Sequence, residues 1–210
     1  MIYDNDTKNK ILTTALDLFA EKGYSNVTIR EIAKHVGIKG SSIYNHFSGK
    51  EDILSGILEY QNYFNEKEYD NKIAGVDPCE ISKDTPLEMI LEMALTTSLN
   101  MFSSEDMIKI LKILSQNQLS HPKIREHFIN VFLLTARQKL IELFSILIEK
   151  DIIQHDDPEF LAYEFHSFQI YSYYENYLLL ENYVVTDEDT EQIRSYMIKH
   201  IQFFCHALKH

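Results

Sequence analysis

Between residues 37 and 50 the sequence reads GIKGSSIYNHFSGK. The stretch gathers Lys39, Ser41, Ser42, Tyr44, Asn45, His46 and Lys50, short polar and cationic side chains able to donate hydrogen bonds to phosphate oxygens and to the edges of bases. Gly40 has no side chain, so the backbone amides around it can come close to a nucleic-acid backbone. Upstream, Thr28 has the residue type and spacing of a helix N-cap, with Glu31 three residues on as in a capping box. A threonine there can also meet a phosphate. The chemistry these residues offer is recognition of a negatively charged duplex.

Charge distribution sharpens that reading. The 210-residue chain carries a formal net charge of −12, which taken uniformly argues against a nucleic-acid partner. From Thr28 to Lys50, however, the charged residues are Arg30, Lys34, Lys39 and Lys50 against Glu31 alone. A basic patch on an acidic body is expected to confine contact with DNA to one end.

Elements must hold such a patch in place. Ile11, Leu12, Ala15, Leu16, Phe19 and Ala20 recur at helical spacing, predicting a first helix over residues 7–22 that Gly23 stops. A second helix is predicted over 29–35 and a third over 39–47, with Gly37 at the reversal between them. Ala33 permits close approach of the two, and Ile32, Val36, Ile38 and Ile43 are spaced to point inward. The polar side of the third helix then faces outward. Lys50 opens a fourth helix, and Ala74 to Thr85, with Gly, Pro and several acids, reads as the main loop. Helical patterns return after Pro86, around Pro122 and Pro158, and near the C-terminus, for about nine helices in all.

The stretch TIREIAKHVGIKGSSIYNHFSGKEDIL resembles the DNA-binding signature of the tetracycline-repressor (TetR) family of bacterial regulators. The match rests on Thr28, Ala33, Gly37, Tyr44, His46, Phe47 and Lys50 in one unbroken register, and covers about residues 7–58 with the first helix. Lys39 stands where this family often has a capping serine. The resemblance implies an all-α fold: an N-terminal helix-turn-helix domain, residues 1–50, and a helical ligand-binding and dimerisation domain, residues 51–210. It further implies a cytoplasmic transcription regulator, commonly a repressor, that binds a palindromic double-stranded DNA operator as a homodimer and answers to a small-molecule effector. The last two long helices would form the dimer. A second reading keeps the fold but makes the chain a ligand-binding or protein-interaction module whose helix-turn-helix no longer reads DNA and docks a partner instead.

The remaining chemistry is sparser. Phe165, Phe168, Tyr171, Tyr173, Tyr174 and Tyr177 are dense enough to wall an effector pocket, and Met89, Met93, Met101 and Met107 could make it adaptable. Of these, Met89, Met93, Phe168, Tyr171 and Tyr174 are the expected ligand contacts. Acids among the aromatics favour a lipophilic cation as ligand. Core and interface packing would use the same rings. His200, Cys205 and His206 lack one-turn spacing and an acidic partner, so no metal site is expected, and no cofactor. Cys79 and Cys205 fit no paired-cysteine motif. No G-x-S-x-G, phosphate loop or H-E-x-x-H occurs, which disfavours an enzyme, and no apolar run approaches a membrane span.

Overall fold

A computed structural model describes residues 5–68, 72–100, 104–175 and 187–208 of the chain. Among these residues the fold is all-α, with no strand beyond one isolated bridge between Ile73 and Val76. The helices are α1 (Asp6–Lys22), α2 (Ile29–Val36), α3 (Gly40–Ile43), α4 (Lys50–Glu68), α5 (Leu87–Asn100), α6 (Glu105–Asn117), α7 (Pro122–Phe128), α8 (Ala136–Glu149), α9 (Pro158–Tyr173) and α10 (Asp187–Ala207). A π-helical stretch, Ile129–Thr135, joins α7 to α8 without a break, so these segments amount to nine helices.

Local signals set the boundaries. The side chains of Asn5, Thr28, Ser104 and Asp157 each accept a backbone N–H of the first turn of α1, α2, α6 and α9. Pro122 and Pro158 each occupy the first helical position, where an amide donor is not needed. Residues 72–86 contain no helix, in keeping with the main loop expected there.

The chain divides into two compact units. The first comprises Met1–Lys67 and Ser103–His127. Its core joins Ile11, Leu12, Leu16 and Phe19 of α1 to Ile32, Ile43, Ile53 and Leu54, with Ile110 and Leu114 from α6; each is 1% exposed or less. Burying side chains of this size contributes about 1.5–3 kcal/mol apiece. The second unit comprises Glu68–Phe102 and Phe128–His210. There α8 packs on α9, and α10 packs on α5 and α9, around Leu91, Leu143, Phe144, Leu147, Phe165, Ile201 and Cys205.

Two sequence expectations need adjustment. The third helix is shorter than residues 39–47: α-helical structure ends at Ile43, and tighter bonds from Asn45 N to Ser42 O (3.3 Å) and His46 N to Ile43 O (2.9 Å) carry the chain on as a turn. Of the four residues expected to point inward, Ile32 and Ile43 are fully buried, but Val36 and Ile38, on either side of Gly37, are half-buried.

Candidate nucleic-acid interface

Gly37 fixes the geometry of the patch. It sits in the left-handed region at φ 82° and ψ 26°, and its N–H reaches the carbonyls of Ala33 and Lys34 while Ile38 N–H reaches Ala33 O at 3.0 Å. This is a Schellman ending, and an added Cβ would meet open space. Glycine is therefore needed for backbone conformation and not for room; alanine would cost about 1 kcal/mol.

The reversal pins Ile43 and Phe47 inside, at 0% and 3% exposed, and turns the intervening residues outward. Tyr44 is 60% exposed. Lys39, Ser41 and Asn45 are exposed, and Gly40, Ser42 and His46 are half-buried. None of the side chains of Lys39, Ser41, Ser42, Tyr44, Asn45 and His46 is tied by a hydrogen bond or ion pair to another described residue. Lys39 is the N-cap residue of α3 but makes no capping bond through its side chain, so its ammonium stays available. Six neighbouring polar side chains without internal partners form a surface prepared for an external one.

Thr28 and Lys50 differ, since both already have internal work. Thr28 is exposed and its Oγ1 accepts Glu31 N–H at 3.2 Å, which leaves the hydroxyl hydrogen free to donate. Lys22 and Glu31, 2.6 Å apart, tie the end of α1 to the same turn. The Lys50 ammonium donates to Tyr24 O at 2.9 Å and Val27 O at 3.0 Å and lies 4.3 Å from the centre of the Tyr24 ring. Partial burial lowers its pKa, against the opposing charge of Glu51. Two of its three N–H donors are thus spent on the turn before α2.

Sequence reasoning missed what stands behind Lys50. The Tyr24 hydroxyl donates to Glu51 Oε1 at 2.8 Å, and His121 Nε2 lies 3.0 Å from the same oxygen. His121 also meets the Tyr24 ring edge-on at 5.0 Å. Burial would raise the Glu51 pKa, but the hydrogen bonds from Tyr24 and His121 outweigh it and hold the carboxyl below its ordinary value. Burial first, and then the Glu51 bond, push the Tyr24 phenol up. Further along, Lys123 bonds Ser55, and His127 Nε2 meets Gln61 Oε1 at 2.8 Å. α7 and the residue before it are bolted to α4 in this way.

Among the expected effector residues, Met93 and Phe168 both pack against the core of the second unit. Met89 and Tyr171 are exposed, at 54% and 59%. Phe168 stacks on His200 at 4.5 Å. Tyr174 meets Phe128 and Tyr173. Tyr177 and Met101 lie outside the described residues.

Comparison with known proteins agrees with this geometry. Residues 11–57 match the profile of bacterial regulatory proteins of the tetR family. Over 82 residues, 38% of the chain, it is 37% identical to the HTH-type transcriptional regulator YerO of Bacillus subtilis (strain 168), covering 28% of that protein. Over 58 residues, 28% of the chain, it is 45% identical to IcaR of Staphylococcus epidermidis, the HTH-type negative transcriptional regulator of the biofilm operon icaADBC, covering 30% of it. The matched stretch therefore spans less than a third of either curated relative. In fold the likeness runs the whole length: a protein of Mesorhizobium loti MAFF303099 assigned to the TetR-family regulators superposes with a TM-score of 0.72 over 96% of both chains at 17% identity. Salmonella enterica GusR does so at 0.68 over 100% of this chain and 99% of its own, also at 17%. Residues 11–57 thus carry the helix-turn-helix of the bacterial tetR regulators, and the described helices share the all-α fold of the solved proteins that resemble this chain over its length.

Proposed function

We propose that the protein is a cytoplasmic, ligand-responsive repressor that binds a palindromic operator as a homodimer. The observation that carries this reading is the row of unpartnered polar side chains around α3, held outward by buried Ile43 and Phe47. A short helix presented in this way fits a major groove ~12 Å wide. Residues 1–50 make the contact: Lys39, Ser41, Ser42, Asn45 and His46 face the groove, Tyr44 and Thr28 take phosphates, Gly40 lets the backbone approach, and Lys50 offers its remaining N–H. Residues 51–210 bind the effector and pair the subunits. The named action of IcaR as a negative regulator supports repression.

Pairing has its own support. On α9, Phe160, Tyr163 and Tyr171 are more than half exposed, as are Tyr196 and Phe203 on α10. Aromatic rings in such number on two successive helices suit an interface between copies. Two copies would place two α3 segments about one or more helical turns of DNA apart, ~34 Å each.

Fluorescence anisotropy with the DNA upstream of the protein's own gene tests the reading. Tyr44→Ala removes an exposed ring and should leave thermal stability unchanged while weakening DNA binding about tenfold, the value of one hydrogen bond to a charged group. Full affinity in that variant removes Tyr44 from the interface. Failure of the unaltered protein to bind any such DNA favours the protein-docking alternative.

A further inference from the structure

We infer that Arg137 and His166 form a binding site within the second unit for the carboxylate of a small organic acid. The inference rests on the ligand-responsive reading above and gives its effector a chemical class.

Arg137 lies in the first turn of α8, and its guanidinium carbon sits 4.5 Å from the centre of the Tyr163 ring of α9. The ring takes one face of the cation and leaves the N–H groups free in the plane. Its Nε is buried and has no hydrogen-bond partner. No described acid lies within ion-pair distance of it. An arginine stays charged at every pH the protein meets, so a positive charge stands here without a counter-charge among the described residues.

His166 is one helical step from Tyr163, three residues on, which makes the two side chains neighbours on α9. It is 3% exposed, and its Nδ1 is likewise buried without a partner. Burial and, second, the charge of Arg137 hold its pKa down to about 4, so the cation and the imidazole sense each other. Two unsatisfied polar positions on facing helices, a guanidinium N–H and an imidazole nitrogen that donates in its Nδ1–H tautomer, are costly, about 1–3 kcal/mol for each. Such groups in a folded protein call for a missing acceptor.

A carboxylate has the matching properties. Its two oxygens accept from two donors at once, and its charge neutralises Arg137. The half-buried cation thus selects for an anion, against the cation that the acids among the aromatics favour.

The test uses the full chain and follows thermal unfolding by circular dichroism with benzoate or hexanoate, and with benzamide or hexanamide as uncharged counterparts, all at equal ionic strength. The acids should raise Tm in a concentration-dependent way and the amides should not. Arg137→Met and His166→Phe should each weaken the acid about tenfold or more, the worth of one charge-assisted hydrogen bond. Without acid, Arg137→Met should melt at the same temperature as the unaltered chain or higher, because a half-buried cation with an unsatisfied Nε has gone. Should that variant fail to fold, Arg137→Lys keeps the charge and should retain part of the acid response. The inference is overturned if acids and amides act alike, if neither raises Tm, which leaves water as the occupant, or if the response survives in Arg137→Met. It is also overturned if sedimentation shows Arg137→Met to be monomeric, which would assign the cation to a partner subunit's acid. DNA binding by the unaltered chain is measured separately. Intact DNA binding without an acid response sinks this inference alone, whereas an acid response without DNA binding sinks the regulator reading alone.

Discussion

At the scale of single residues, Lys50 shows how charge in a sequence understates a side chain's duties. Its spacing after Gly49 marks it as a phosphate ligand, but the structure commits two of its donors to the carbonyls of Tyr24 and Val27. Those carbonyls carry no side-chain signature, so nothing in the sequence announces them. Lys50→Met should therefore do two things: lower stability by about 2 kcal/mol in chemical denaturation, and reduce the salt dependence of DNA binding by about 0.9 in slope. A stability loss with an unchanged slope would give Lys50 a purely structural role. The histidines make a second prediction. Burial holds His166 and His127 down to about 4, against an ordinary value of 6.5. The folded chain keeps both neutral where the unfolded chain would take up protons, so their stability is fully present above pH 6.5 and is lost as the pH falls toward 4. Melting temperature should fall across that window, and His166→Phe should flatten the fall. Tyr44, Gly37 and Thr28, by contrast, were legible because each acts through its own backbone or its own exposure.

Elements tell a similar story. α1, α2 and the reversal at Gly37 follow from apolar spacing and cap residues, which are local signals, and they stand where the sequence puts them. The bonds from α7 and the residue before it to α4 join residues some 66 to 70 positions apart, and no periodicity encodes such pairings. Gln61 is the best test of that seam. It is 1% exposed and its Oε1 meets His127 Nε2 at 2.8 Å. Gln61→Leu would leave the imidazole unpaired in a buried setting and should cost about 1–3 kcal/mol, read from chemical denaturation. A neutral result would mean that water reaches His127. Arg137 and His166 were hidden for the same reason: each is an ordinary member of an amphipathic helix until α8 packs on α9.

For the whole molecule, the decisive quantity is how much aromatic surface a single chain leaves uncovered. Phe203 is 73% exposed, and Tyr196 is exposed two turns earlier on the same face of α10. An exposed ring costs one chain little but contributes on both sides of a two-fold interface. Phe203→Glu should accordingly convert a dimer to a monomer in analytical ultracentrifugation without lowering helix content. A monomer in the unaltered protein at micromolar concentration would contradict the pairing. The net charge of −12 acts at this scale too, since the acidic remainder of each chain is repelled by DNA and the net-positive stretch around α3 is a favourable point of approach.

The π-helical stretch from Ile129 to Thr135 has a consequence for how this chain tolerates change. Looser winding absorbs a surplus residue that regular α-helical turns would not hold, and the apolar letters INVFLLT give no outward mark of it. Every side chain downstream is aimed by that surplus. A chain shortened by one residue here could relax to ordinary winding, and Arg137 would then swing about 100° around the helix axis relative to Phe128. Single-residue insertions and deletions in this short span are thus a route by which relatives could re-aim a whole helix without altering the sequence of the helix-turn-helix.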